Sequence, residues 1–167
     1  MQRRQAIDDL RQDAPVFDEL QFHGRVGRAF TQIQEAWSRQ ELNSVRAFVS
    51  DGIYERFSLQ FMEQRDFGYR NQVSDVVVRQ MQLAQIHRDE FFHVVTVRIH
   101  ASCVDYRVSL ETGEIQSGNR SPESFVEYWT FLRRRGVQTQ DRPGLIEGNC
   151  PNCGAEVELN QSAKCTA

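Results

Sequence analysis

The stretch that decides the fold runs from Val95 to Cys103 and reads VTVRIHASC. Apolar residues occupy every second position, and threonine, arginine, histidine and serine fill the positions between them. Because successive side chains of a strand point to opposite faces of a sheet, this period of two predicts a β-strand with one buried face. The phase changes after Cys103, which predicts a β-bulge near Val104 and Asp105.

Strand patterns continue on both sides of this stretch. Residues 73–86 are rich in valine, and a polar turn at residues 88–90 separates them from Val95. After a second turn at residues 111–114, residues 124–134 carry apolar side chains on both faces. Such a strand either lies centrally in a sheet or covers a helix with one face and a partner with the other.

The first part of the chain has a helical pattern instead. Apolar residues from Val26 to Trp37 recur at the spacing of one helix face, and a short second helix is predicted at residues 42–49. Ser50 is a typical N-cap, so we expect a third helix to begin there. The predicted buried residues of that helix are Ile53, Tyr54, Phe57 and Phe61. Residues 5–22 predict a polar helix that Pro15 interrupts.

Helices followed by antiparallel strands predict an α+β domain, with three helices packed on one face of a curved sheet. The predicted segments are a polar helical segment at 1–22, the main domain at 23–135, a linker at 136–149 and a cysteine-rich tail at 150–167. The net charge of -3 gives no general attraction to nucleic acid or anionic lipid. No run approaches the roughly 18 consecutive apolar residues of a membrane span.

The tail has the cysteine spacing of a zinc ribbon. Cys150 and Cys153 form a CxxC pair that can reach one ion, and Cys165 follows after a short strand-like segment. A structural zinc ion takes four ligands, so we expect the fourth beyond Ala167, and we expect the tail within this sequence to be metal-free or to hold an incompletely coordinated zinc. Three unrelated cysteines and a redox CxxC are the alternatives, although no βαβ pattern surrounds the pair.

Several segments carry a resemblance to a known family. They are RAFTQIQEAW at residues 28–37, ELNSVR at 41–46, VSDGIYER at 49–56 and FVEYWTFLR at 125–133. Their order resembles the C-terminal domain of the mitochondrial inner-membrane translocase subunit Tim-44 and its bacterial relatives, over roughly residues 23–135. The sequence GLIEGNCPNC at 144–153 is similar to bacterial members that carry an appended zinc ribbon.

This resemblance implies a cone-shaped fold like that of nuclear transport factor two, with an apolar cavity at its mouth. It implies a non-enzymatic module that presents this cavity to a protein segment or a lipid. The module itself would be soluble, and it would lie on the cytoplasmic side of a membrane, peripherally or through anchors outside this chain. The candidate cavity residues are Trp37, Phe57, Phe61, His93, Asp105, Tyr106 and Trp129.

Two other functions stay open. The same cone fold hosts enzymes with an acid or base in an apolar pocket, which makes His93, Asp105 and Tyr106 candidates for a small-molecule enzyme or binder. Contact with anionic lipid, phosphate or nucleic acid is the second possibility. Its candidate residues are Arg133, Arg134, Arg135 and Arg142. Because the tail is not basic, nucleic-acid binding is the less favoured interpretation.

Overall fold

The computed structural model of the protein describes residues 2–135. Three α-helices come first, and a four-stranded antiparallel sheet follows them. The helices are α1 (Gln2–Asp13), α2 (Glu19–Arg39) and α3 (Asp51–Asp66), with one turn of 3-10 helix at Asn43–Val45. The strands are β1 (Tyr69–Arg88), β2 (Phe92–Ser109), β3 (Ile115–Gly118) and β4 (Glu123–Arg134). This order confirms the predicted α+β class.

Two side-chain caps explain where the longer helices begin. Asp18 accepts a hydrogen bond from the backbone N–H of Gln21 at 2.8 Å, and Ser50 accepts one from Ile53 at 3.3 Å. Each cap satisfies an amide that has no partner within its helix. The predicted start of the third helix at Ser50 is therefore confirmed, whereas the predicted second helix is a single 3-10 turn.

β2 is the central strand of the sheet. It pairs with β1 along nearly its whole length, with β4 from Phe92 to Cys103, and with β3 from Tyr106 to Val108. β3 and β4 thus follow one another along the same side of β2. The prediction that the last strand could lie centrally is wrong, because β4 pairs with β2 on one side only within the described residues.

The β-bulge predicted in β2 near Val104 and Asp105 is also wrong. In the β1–β2 ladder the irregularities lie on β1, between Ser74 and Val77, between Val78 and Gln80, and between Leu83 and Gln85. In the β2–β3 ladder the extra residue lies on β3, between Ile115 and Ser117. An edge strand can absorb extra residues because no second ladder constrains it. β2 has no inserted residue, so the face that begins at His93 continues past Cys103 to Asp105. The burial pattern does change here, because Ser102 and Val104 on the other face are buried and Asp105 is exposed.

The core lies between the helices and the inner face of the sheet. Val97, Ile99 and Ala101 are fully buried, and Phe30 of α2 packs against them with none of its surface exposed. Leu10 of α1 belongs to the same cluster. A second cluster joins α2, the 3-10 turn and α3. Its buried members are Ile33, Ala36, Leu42, Val45, Val49 and Phe61.

One predicted core residue is exposed. Ile53 keeps 40% of its surface accessible, whereas Phe61 is buried. The two residues stand about 80° apart around the helix axis, because an α-helix turns by about 100° per residue. Ile53 therefore lies at the margin of the buried stripe of α3, and the prediction that it is buried is wrong.

Truncation of Phe30 tests the position of the core. We expect Phe30→Ala to lower the free energy of unfolding by about 3–5 kcal/mol, because it leaves a cavity in a fully buried site. Leu59→Ala is the control, since Leu59 is 64% exposed and surface changes usually stay within about 0.5 kcal/mol. Urea unfolding of both variants measures their free energies of unfolding. Equal decreases in the two variants would contradict the placement of Phe30 in the core.

Candidate functional site

An open pocket of about 860 Å³ lies where the end of α3 meets the sheet. It is at the end of β2 that pairs with β3, away from β4. Its wall combines polar and aromatic side chains from α2, α3, β1, β2 and β3. The lining residues are Trp37, Gln60, Glu63, Gln64, Phe67, Tyr69, Asn71, Asp105, Tyr106, Arg107 and Ser117.

Asn71 at the start of β1 organises one wall of this pocket. Its Oδ1 accepts from the indole Nε1 of Trp37 at 2.7 Å, and its Nδ2 donates to Oδ1 of Asp105 at 2.6 Å. Its backbone N–H donates to Oε1 of Gln64 at 2.9 Å, and the same oxygen accepts from Gln40 at 3.0 Å. Because both ends of the amide are engaged, its orientation is fixed. The wall is therefore a set of fixed polar groups.

Two further contacts shape the pocket. The guanidinium of Arg107 lies 4.6 Å from the ring centre of Tyr69, within the range of a cation–π contact. Gly118 has a φ of +77°, and a Cβ at this position would lie 2.6 Å from the carbonyl oxygen of Asp105. Only glycine therefore allows β3 to approach β2 this closely.

The chemistry of the wall differs from the apolar cavity that the resemblance implies. Glu63, Asp105 and Arg107 bring charged groups to the pocket, and all three are exposed. General acid–base catalysis by a carboxyl group usually requires an apolar site that excludes water. Asp105 is instead exposed and hydrogen-bonded to Asn71. The arrangement suits recognition by hydrogen bonds and charge.

The predicted cavity residues fall into three places. Trp37, Asp105 and Tyr106 meet in the pocket wall. Phe57 and Phe61 lie behind it, with ring centres 5.2 and 5.1 Å from that of Trp37. The remaining two are deeper or distant. Trp129 packs on Phe30 between the two core clusters, and His93 lies near the other end of β2.

His93 is a structural residue in this arrangement. It is 2% exposed, and its Nε2 lies 2.8 Å from Oδ2 of Asp13 at the end of α1. Nε of Arg135 donates to the same oxygen at 3.0 Å, and the backbone N–H of Arg135 donates to Phe91 at 2.8 Å. The Asp13–His93–Arg135 cluster therefore ties α1 to the start of β2 and to the end of β4.

The arginine run does not form one exposed surface. Arg133 is 7% exposed, Arg134 is exposed, and Arg135 bonds to Asp13. Arg142 lies outside the described residues. A contiguous basic face built from residues 133–135 is therefore absent from the described part of the chain.

Of the four cysteines, the structure describes Cys103. Cys103 is 7% exposed, and burial, aided by the nearby Asp105, raises the pKa of its thiol to about 11. It is a core residue rather than a nucleophile. Cys150, Cys153 and Cys165 lie outside the described residues. Among residues 2–135, no cluster of histidine, cysteine, aspartate or glutamate has the composition of a metal site.

Gln64, Asn71 and Arg107 line the pocket, but the sequence patterns did not predict them as site residues. Gln64 and Asn71 carry no motif, and a single polar residue near the end of an element has many possible roles. The position of Arg107 could have been predicted from the alternation of β2. An unbroken alternation from Val95 would have placed Asp105 and Arg107 on the inner face, directly after the buried Cys103.

Comparison with known families identifies the family of the chain. The family model described as the Tim44-like domain matches residues 3–144. The chain belongs to the Tim44-like domain family. Tim44-like domains are membrane-associated protein-binding modules and are generally not enzymes. None of the curated proteins matches the chain. Within residues 2–135, no helix of this Tim44-like domain is long and apolar enough to cross a membrane.

The Asp13–His93–Arg135 cluster predicts a stability that depends on pH. The hydrogen bond from Arg135, together with the one from His93, holds the pKa of the Asp13 carboxyl below its usual 3.8. A carboxyl with a lowered folded-state pKa contributes stability above its unfolded pKa and loses it as the pH falls through the folded value. We therefore expect the urea midpoint to fall less for Asp13→Asn than for the unmodified protein below about pH 4.

Asp8→Asn is the control for this experiment, because Asp8 is an exposed carboxylate on the same helix. The urea midpoint of Asp8→Asn should change with pH in the same way as that of the unmodified protein. A profile of Asp13→Asn that also coincides with the unmodified protein would show that the cluster does not stabilise the docked α1.

Proposed function

We propose that this Tim44-like domain is a non-enzymatic binding module that holds an extended protein segment in the pocket beside Asn71. The fixed wall formed by Trp37, Asn71 and Asp105 is the observation that carries the proposal. Hydrogen-bonding groups that are already ordered lose little entropy when a ligand binds. The volume of about 860 Å³ lies within the range of about 300–1,000 Å³ typical of ligand sites.

The charges of the wall favour a segment that donates hydrogen bonds. Asp105 and Glu63 offer carboxylate oxygens, and Gln60 and Ser117 add neutral polar groups. Amide, lysine and arginine groups of a peptide can donate to such acceptors. A lipid chain would find little apolar surface here, which is why a protein segment is favoured over a lipid.

The enzymatic alternative has less support. The acid–base candidates do not converge, since Asp105 and Tyr106 line the pocket and His93 binds Asp13 elsewhere. The nucleic-acid alternative is weakened because Arg133 is buried and Arg135 bonds to Asp13. We further propose that the helices and sheet form a cone like that of nuclear transport factor two, peripheral to the cytoplasmic side of a membrane. The irregular β1 and the pocket at one end of the sheet support this shape.

A peptide-display selection tests the proposed function. A library of random 12-residue peptides is selected on the full chain, and the affinities of the selected peptides are measured by fluorescence anisotropy. We expect Asp105→Asn to weaken binding at least tenfold, because a hydrogen bond to a charged group contributes about 1.5–3 kcal/mol. Glu114→Gln is the control, since it removes the same charge from an exposed position outside the pocket wall.

Two results would contradict the protein-segment proposal. Equal weakening by Asp105→Asn and Glu114→Gln would show that net charge rather than the pocket governs binding. No selected peptide, together with Asp105-dependent sedimentation on vesicles of phosphatidylglycerol and phosphatidylethanolamine, would support the lipid alternative instead.

We also propose that Cys150, Cys153 and Cys165 hold a structural zinc ion, with the fourth position taken by water or another group. The CxxC pair and the spacing to Cys165 support this ligand set. We expect elemental analysis of the zinc-loaded full chain to detect bound zinc, and Cys153→Ser to lose it. Cys103→Ala is the matched control, because that thiol is buried in the core. Equal zinc content in Cys153→Ser and the unmodified chain would exclude this site.

A further inference from the structure

Two opposite charges stand side by side on one wall of the pocket. Asp105 and Arg107 are two residues apart on β2, and both line the pocket. Side chains two positions apart on a strand point to the same face, and their Cα atoms are about 6.4–6.8 Å apart. Asn71 of β1 and Ser117 of β3 lie opposite Arg107, one on each side. The sheet therefore holds both charges between two flanking strands.

The two charges are held apart and do not neutralise each other. No salt bridge joins Asp105 to Arg107. Asp105 accepts instead from Asn71, and the guanidinium of Arg107 lies 4.6 Å from the ring centre of Tyr69. Tyr69 pairs with Ser109, two residues beyond Arg107, so this ring draws the guanidinium away from Asp105. Both charges are exposed and available to a ligand.

The signs of these charges restrict what can bind. Asp105, and Glu63 of α3 with it, offer carboxylates, whereas Arg107 offers a guanidinium that can bind a carboxylate through two parallel hydrogen bonds. A ligand with basic groups alone would meet Arg107 as a like charge, and an acidic ligand would meet Asp105 in the same way. Juxtaposed like charges oppose binding. The pocket therefore favours a ligand that carries one charge of each sign.

The spacing of the charges indicates the conformation of this ligand. In an extended segment, side chains at positions i and i+2 lie on one face at the same separation of about 6.4–6.8 Å as Asp105 and Arg107. A helix brings residues three and four apart together, and residues two apart do not share a face. A free amino acid carries its two charges on a single carbon atom. An extended segment matches this wall better than either.

We propose that the pocket selects an extended protein segment with a basic and an acidic side chain two residues apart. The basic side chain binds Asp105, and the acidic side chain binds Arg107. Tyr69 acts as a positioning residue, because it keeps Arg107 from turning to Asp105. This inference rests on the proposed function and adds to it the charge pattern of the bound segment.

Peptides selected on the full chain test the charge pattern directly. We expect the selected sequences to be enriched in a basic and an acidic residue at positions i and i+2. In the tightest of them, exchanging the acidic residue with its neighbour keeps the composition and turns the carboxylate to the other face. This exchange should weaken binding about fivefold in fluorescence anisotropy, which is the effect of losing one partly exposed ion pair.

Substitution of Arg107 tests the same contact from the protein side. Arg107→Gln should weaken binding of the selected peptide about fivefold. Arg88→Gln is the matched control, because Arg88 is an exposed arginine at the other end of the sheet. It should leave the affinity unchanged. Arg107→Glu should reverse the preference, so that a peptide with lysine in place of the acidic residue binds this variant more tightly than it binds the unmodified chain.

Two substitutions of Tyr69 test its positioning role. Tyr69→Leu removes the ring that holds Arg107, which allows the guanidinium to pair with Asp105 and should abolish the preference for the i, i+2 spacing. Tyr69→Phe keeps the ring face and should keep the preference. A purely structural role of Tyr69 would change the affinities for the original and the exchanged peptide by the same factor. Circular dichroism checks that all variants are folded.

The outcomes separate this inference from the function on which it rests. Peptides that bind through Asp105 but show no paired charges, or that bind Arg107→Gln as tightly as the unmodified chain, overturn the charge pattern and leave the binding module standing. Equal weakening by Arg88→Gln and Arg107→Gln also overturns it, because net charge would then govern affinity. No selected peptide at all overturns both proposals.

Discussion

The inner face of β2 is the constraint on which the rest of the structure depends. Its odd-numbered side chains run from His93 through the fully buried Val97, Ile99 and Ala101 to Asp105. A shift of one residue in pairing would turn all of them to the opposite face, so burial of the centre fixes both ends. At one end His93 meets Asp13, and at the other Asp105 meets Asn71. The core thereby positions the pocket.

The two edges of the sheet accommodate this constraint differently. β1 has twenty residues and β2 has eighteen. The extra residues of β1 form irregularities on β1 itself, so β2 contains no inserted residue. β4 follows β2 residue by residue, since its inner side chains Phe125, Trp129 and Phe131 must meet the aromatic rings of α2. Regular packing on the inner face therefore keeps the pairing of β4 with β2 free of irregularities.

Much of the fold could be predicted from local sequence, and the pocket could not. The alternation from Val95 to Cys103, the N-cap at Ser50 and the helical spacing up to Trp37 are signals that neighbouring residues carry by themselves. The bulge was assigned to the wrong strand because an extra residue disturbs pairing with a partner, and the sequence of one strand does not show which partner adjusts. Asn71 of β1 became a central residue only when three other elements, α2, α3 and β2, converged on it.

The placement of the pocket bears on how a binding module of this family would act. The pocket lies beside the last residues of β2, whereas β4 pairs with the earlier part of the same strand and packs its inner face on α2. The pairing of β2 with β1 thus fixes the buried core and the polar wall together. A segment bound in the proposed site would meet hydrogen-bonding groups that are already ordered, so little further entropy would be lost on binding.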